Sequence, residues 1–249
     1  MRGRIVPLSL PRRIIGDLMY FAASVPSVAA QRRMQLTALV NTRAQCAARP
    51  SWPALFTKAY ATVAQDMPEL RRAYLKLPWP HLYEYPVSVA HVAVERDYAG
   101  EPAVFGCFIK DPAQLPLRDI DRLIRHTAQA PIEEVSNALR MTNIARLPLL
   151  VRRLLMWVGL SVGRYRANHF GTFAVSAVSS LGTEILTPRS VWTTLLTYGV
   201  LADDGSLDVR IIFDHRAVDA AMIARALARL EEVLTGPIQQ GLGQPPDDG

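Results

Sequence analysis

Apolar residues recur at helical spacing over 9–24, through Ile14, Ile15, Leu18, Met19 and Ala22, and Ser9 with Pro11 marks a helix start. The stretch 51–70 repeats the pattern with Leu55, Ala59, Thr62 and Val63 on one face, closed by Pro68. Residues 82–100 alternate apolar and polar with β-branched content and read as strand, as does 103–111. Helical period returns over 117–130 through Leu117, Ile120, Leu123 and Ile124. Further on, 171–186 is strand-like and rich in small residues. Segments 191–200 and 207–213 flank Asp203-Asp204-Gly205, a turn signal that predicts an antiparallel pair. From Val218, a stripe of Met222, Ile223, Ala226, Leu227, Leu230 and Leu234 predicts an amphipathic helix ending near Gly236-Pro237. The sum is an α+β chain, a mixed or mainly antiparallel sheet with helices on one face.

Composition narrows this only in places. At 249 residues and 50% hydrophobic the chain can bury one large core. The net charge is +6, carried almost wholly by arginine, which leaves phosphates, anionic membranes and nucleic acid open as partners. The arginines are dispersed and no nucleic-acid-reading signature is present, so no nucleic acid is expected. Cys46 and Cys107 lie far apart, form no Cys/His cluster and are expected as core or half-buried thiols, with no metal site. The first thirty residues resemble a secretory signal, but Pro11, Arg12, Arg13 and Asp17 break the apolar region. Residues 147–163 approach membrane-span length with Arg152 and Arg153 at their middle, each costing about 2.5–3.5 kcal/mol there. A spanning helix is therefore not expected; a helix on a membrane or under a partner remains open. No dinucleotide fingerprint or phosphate loop occurs.

The stretch FDHRAVDAA, 213–221, carries the candidate chemistry. His215 stands where a strand ends and a helix begins, a rigid base for a reactive side chain, with Asp214 before it and Asp219 four residues on. By spacing alone, Asp219 reads equally as an acid at a helix start.

The same stretch resembles the H-x-x-x-D-G signature of the coenzyme-A-dependent acyltransferases. That family holds chloramphenicol acetyltransferase and the catalytic core of the dihydrolipoamide acyltransferases of 2-oxoacid dehydrogenase complexes. FAVSAVSSLGTEILTP (173–188) looks like that core's F-T-I-S…G…T-P region, with Ser176 on its serine. VPLSLPRRIIGDLM (6–19) is similar to its V-P-L-S-x-M-R segment, with Arg12 on the arginine. Residues 50–70 and 104–124 resemble its Pro-x-Leu helix and its V-I-K strand with the helix that follows. The pieces run in order over about 5–235.

The resemblance implies a chloramphenicol-acetyltransferase-like two-layer sandwich, one domain over 1–238 with an inserted segment at about 140–168, and the apolar-poor composition of 241–249 predicts a flexible tail at 239–249. It implies transfer of an acyl group between a coenzyme A or carrier-bound thioester and an acceptor, with coenzyme A as substrate and no metal. His215 would be the general base, Ser176 the oxyanion donor, and Asp219 with Arg12 a buried pair holding the histidine turn. The site would lie at the interface of a homotrimer or a higher multiple of trimers. Departures are Ala220 for the motif's glycine, Arg71 for an asparagine, and the want of a Pro before Phe108-Ile109. Neither a lipoyl domain nor a lipoyl attachment site is recognisable, so membership of a dehydrogenase complex is not expected, and the expected location is the cytoplasm. A catalytically silent trimeric scaffold of the same fold is the alternative. The insertion reads either as an extra helix packed on the sheet or trimer, or as the lining of an acyl channel, with Leu154, Leu155 and Trp157 touching a chain longer than acetyl. Contact with a membrane or a partner through 147–163 is the further reading of that segment. Of the other histidines, His81 is expected in a loop, His91 in a strand, His126 on a polar helix face, and His169 near the channel.

Overall fold

The computed structural model describes residues 3–243. Helix α1 (Leu10–Ala22) is capped by Ser9, whose Oγ accepts from the Arg12 amide, and leads to β1 (Ser27–Gln35) and α2 (Thr37–Gln45). Helix α3 (Trp52–Asp66), capped by Ser51, ends before Pro68 as the pattern predicts. The hairpin β2 (Arg72–Leu75) and β3 (His81–Glu84) stands apart from the main sheet. Next come β4 (Val89–Tyr98), β5 (Glu101–Lys110) and α4 (Leu117–Gln129). The insertion forms α5 (Ser136–Ala145), α6 (Leu149–Ser161) and α7 (Gly163–Phe170). The chain closes with β6 (Phe173–Val175), β7 (Thr194–Tyr198), β8 (Ser206–Asp214), α8 (Ala220–Val233) and α9 (Gln239–Gly243).

The main sheet is mixed, in the order β1-β8-β7-β6-β4-β5; β6 runs parallel to both β4 and β7, and the remaining pairs are antiparallel. Four local readings differ. The run 82–100 breaks into β3 and β4 where Pro86 interrupts the ladder, which also puts His81 in a strand rather than a loop. Of 171–186 only three residues pair, because the chain turns away through a 3-10 turn and Gly182 in the left-handed region. Helical structure passes Pro237 through a π-turn into α9, so 239–243 of the expected tail is helix; the rest of it, 244–249, lies outside the described residues. The pattern did not anticipate β1 and α2.

Alternation along the strands divides the side chains between two faces. Val92, Val94, Phe173, Val175, Leu196, Tyr198, Ile211 and Phe213 pack with Leu55, Phe56, Tyr60 and Val63 of α3, Ile120 and Ile124 of α4, and Ile223, Leu227 and Leu230 of α8 in one core. Aromatic pairs knit it: Phe56 stacks on Tyr198 at 4.3 Å and Tyr60 meets Phe173 at 4.4 Å between ring centroids. This is the helical layer expected on one face. On the other face Ala174, Leu195 and Ile212 pack with Ala22, Val191 and Trp192, and α1 with the insertion lies over the sheet.

A buried ion pair ties this second layer together. Asp17 of α1 is 2% exposed; Arg152 of α6 donates Nε to its Oδ2 at 2.7 Å, and Arg153 Nε donates to Oδ1 at 3.3 Å. Arg153 also lies 3.9 Å over the Tyr20 ring. The charges that break two apolar runs in the sequence thus pair with one another where those runs meet. Among the described residues no helix is long and apolar enough to cross a membrane.

Candidate active site

The turn after β8 is held by the residue before the histidine. Asp214, 2% exposed, accepts from the Arg216 amide at 3.0 Å and from its guanidinium at 2.9 Å and 2.7 Å, a bidentate pair. The Asp214 carbonyl accepts from the amides of Ala217 and Val218, and the Arg216 guanidinium sits 4.4 Å over the Tyr74 ring. Between these anchors His215 points outward. Its amide donates to the Pro26 carbonyl just before β1, its ring packs edge-on to Phe213, and its side chain is 48% exposed.

Asp219 is the N-cap residue of α8, with its Oδ1 3.7 Å from His215 Nδ1. That is too long for a hydrogen bond. Helix α8 starts at Ala220, and among the described residues the non-glycine residues at positive φ are Arg49, Ala99 and Asp111. Ala220 therefore has ordinary backbone, and replacing the motif's glycine carries no strain there.

The expected buried Arg12–Asp219 pair is not formed within the chain. Arg12 is exposed on α1, the Asp219 side chain is 86% exposed, and among the described residues Arg12 makes no ion pair. The physical reason is local: Arg216 and Asp214 already fix the turn, and Asp219 stands at the surface end of its helix.

Ser176 follows β6, its amide donating to the Leu196 carbonyl at 3.0 Å. Register separates it from His215. Ser176 stands level with Thr197, one step past the Val175–Leu196 pair, and His215 level with Trp192, two steps past the Phe213–Thr194 pair. Five residues along the strand direction amount to roughly 16 Å, with two inter-strand spacings of about 5 Å each across the sheet. One chain does not bring the two side chains together.

Ser176 instead lines a cavity of about 660 Å³ between the second face of the sheet and α1, α5, α6 and α7. His91 and Ala93 of β4, Gly106 and Phe108 of β5, and Ala174 and Leu195 share that wall. His91 stacks on Trp192 at 4.7 Å, its Nδ1 is buried with no partner, and burial pushes its pKa down to about 4, so it is neutral at pH 7. Partial burial and nearby Arg140 hold His169, which also lines the cavity, below the ordinary histidine value. Of the three insertion residues named for an acyl channel, Leu155 lines the cavity, and Leu154 and Trp157 do not. His126 is exposed on α4. The sequence reading missed Arg140 and Arg189 as cavity residues; neither stands in a motif, and only the fold shows that they share a wall. Cys107 is buried and Cys46 half-buried, both free, and no group of metal-ligating side chains occurs among the described residues.

No family model matches the sequence, and no curated protein sequence matches it. Solved structures do. The cubic core of the pyruvate dehydrogenase multienzyme complex superposes with a TM-score of 0.69 at 16% identity, covering 97% of this chain and 94% of that one. Azotobacter vinelandii dihydrolipoamide acetyltransferase gives 0.67 at 17% identity over 97% and 94%. A chloramphenicol acetyltransferase gives 0.51 at 13% identity over 91% and 98%. The chain has the fold of the acyltransferase cores: a mixed sheet with helices, as its sequence resemblance implies.

Proposed function

We propose that this chain is an acyltransferase that moves an acyl group between a coenzyme A or carrier-bound thioester and an acceptor, working as a homotrimer or a multiple of trimers. One observation carries the reading: a half-exposed histidine on a rigid turn, matched by a serine that its own chain keeps roughly 16 Å away along the sheet. Two such groups work together only when another copy supplies one of them. The Azotobacter structure was determined to probe the roles of a serine, a histidine and an asparagine in catalysis, the last two four positions apart. His215 and Asp219 share that spacing and Ser176 is the corresponding residue type, which supports the assignment.

In this reading neutral His215 takes the acceptor's proton on Nε2 as the acceptor's sulfur, oxygen or nitrogen attacks the thioester carbonyl. Ser176 Oγ donates to the resulting oxyanion. Collapse expels the coenzyme A thiolate, which receives the proton back from the imidazolium, so no acyl group is left on the protein. Asp219 lies beside Nδ1, which leaves Nε2 for the acceptor, and Asp214 with Arg216 fixes the turn that carries the ring. Arg12 takes no step.

His215→Ala should lower transfer by about 10²–10⁴-fold and Ser176→Ala by about 10²–10³-fold, with the folded assembly kept. Steady-state transfer from acetyl-coenzyme A, paired with sedimentation, measures both. Undiminished turnover in the histidine variant, or a monomeric active wild type, removes the reading.

A further inference from the structure

The cavity beside Ser176 is apolar far beyond what a short acyl group requires. Ile14, Ile15 and Leu18 of α1, Leu155 and Met156 of α6, and Leu195 of the sheet give its wall an apolar surface, with small residues Ala93 and Ala174 on the floor. Its volume of about 660 Å³ falls in the range of ligand pockets, roughly 300–1,000 Å³. Apolar cavities hold water poorly and take hydrocarbon instead. The charged lining is one-sided. Arg140 and Arg189 line the cavity yet are exposed, so they stand where it opens, and among the described residues neither makes an ion pair. Ser176 lines the same wall.

We propose that this cavity binds the hydrocarbon tail of a medium- or long-chain acyl group, its anionic head received by Arg140 and Arg189. That the bound chain is the one transferred rests on the transfer reading above; that the cavity holds such a chain does not. With the tail between α1, α6 and the sheet, an acyl carbonyl lies toward Ser176 and the remainder of the molecule toward the arginines. The inserted helices then serve as a selector for chain length, because they roof the sheet face that would otherwise be open. A free fatty acid and an acyl-coenzyme A thioester share one chemistry, a hydrocarbon chain on an anionic molecule whose charge is a carboxylate in the first and phosphates in the second, and the experiment separates them.

The test is calorimetric titration of the full chain with straight-chain fatty acids of six to sixteen carbons, below their micelle concentrations, and with the matching acyl-coenzyme A thioesters. Affinity should rise about fourfold per methylene (~0.8 kcal/mol) until the cavity is full and then level off. Arg140→Gln with Arg189→Gln should weaken the acids more than alcohols of equal length. Ala93→Trp, shown folded by its thermal transition, should lower the length at which affinity levels off by several methylenes. Affinity that ignores chain length in the wild type overturns the proposal without any variant. Tight thioester binding with no fatty-acid binding assigns the chain to acyl-coenzyme A alone, whereas acetyl transfer with no length dependence in either series overturns the proposal and keeps the transfer reading. Length-dependent binding by a protein that transfers no acyl group supports the ligand class and removes the transfer reading.

Discussion

The two faces of the six-stranded sheet are built from the same strands and solve different problems. Facing α3, α4 and α8, large side chains interlock: Phe56 on Tyr198, Tyr60 on Phe173, and the Tyr60 hydroxyl with Thr194 Oγ1 at 2.6 Å. Burial of Tyr60 and Tyr198 pushes both phenols well above their ordinary pKa, as a dry, packed interior requires. Facing α1 and the insertion, the strands offer Ala93, Gly106, Ala174 and a neutral His91, the packing is incomplete, and charge takes over the task of joining helices. Filled volume specifies a single native arrangement; the open face gives up part of that stabilisation and keeps room for a ligand.

The largest expected effect tests what joins the open face. Asp17→Ala leaves Arg152 buried without its carboxylate and should cost about 3–5 kcal/mol in urea unfolding. A loss below about 1 kcal/mol would mean that packing alone holds α6 to α1.

Next comes the histidine in the cavity wall. His91 binds its proton near pH 4 when folded and near 6.5 when unfolded, so the unfolded chain holds more protons between those values. Its contribution to stability is complete above pH 6.5 and declines as pH falls toward 4, by up to about 3 kcal/mol. His91→Phe should flatten the stability–pH curve in that window alone, as thermal scans across pH 4–7 would show. An unchanged slope would place the ring in water rather than in the wall.

The smallest effect makes the comparison most directly. Ala59→Leu on α3 adds volume to a full core and should cost about 1–3 kcal/mol, whereas Ala93→Leu points into free space and should stay within about 0.5 kcal/mol of wild type. Equal penalties in denaturant titrations would show that the two faces are packed alike.

The sequence revealed the closed face far better than the open one. α4 and α8 each bury a single stripe and α3 is apolar over most of its surface, so their composition and spacing announce them, and the Asp203-Asp204-Gly205 turn announces the pairing of β7 with β8. β1 stayed hidden because it is an edge strand, exposed on both faces except near Met34, so no alternation marks it. α2 buries only Leu39. His215 was legible, because a strand end followed by a helix start is a local event. The cavity was not: its floor comes from small residues on three strands, and its roof depends on Arg152 finding a carboxylate 135 residues away. A charge inside an apolar run tells the reader that it needs a partner, but says nothing about where that partner is.

Asp17 answers to two arginines of one helix, and a desolvated carboxylate cannot be parted from both without great cost. α1 and α6 therefore move as one rigid slab. Whatever passes in or out of the chamber beneath must slip along its flank, past exposed Arg140 and Arg189, and not through the seam between them.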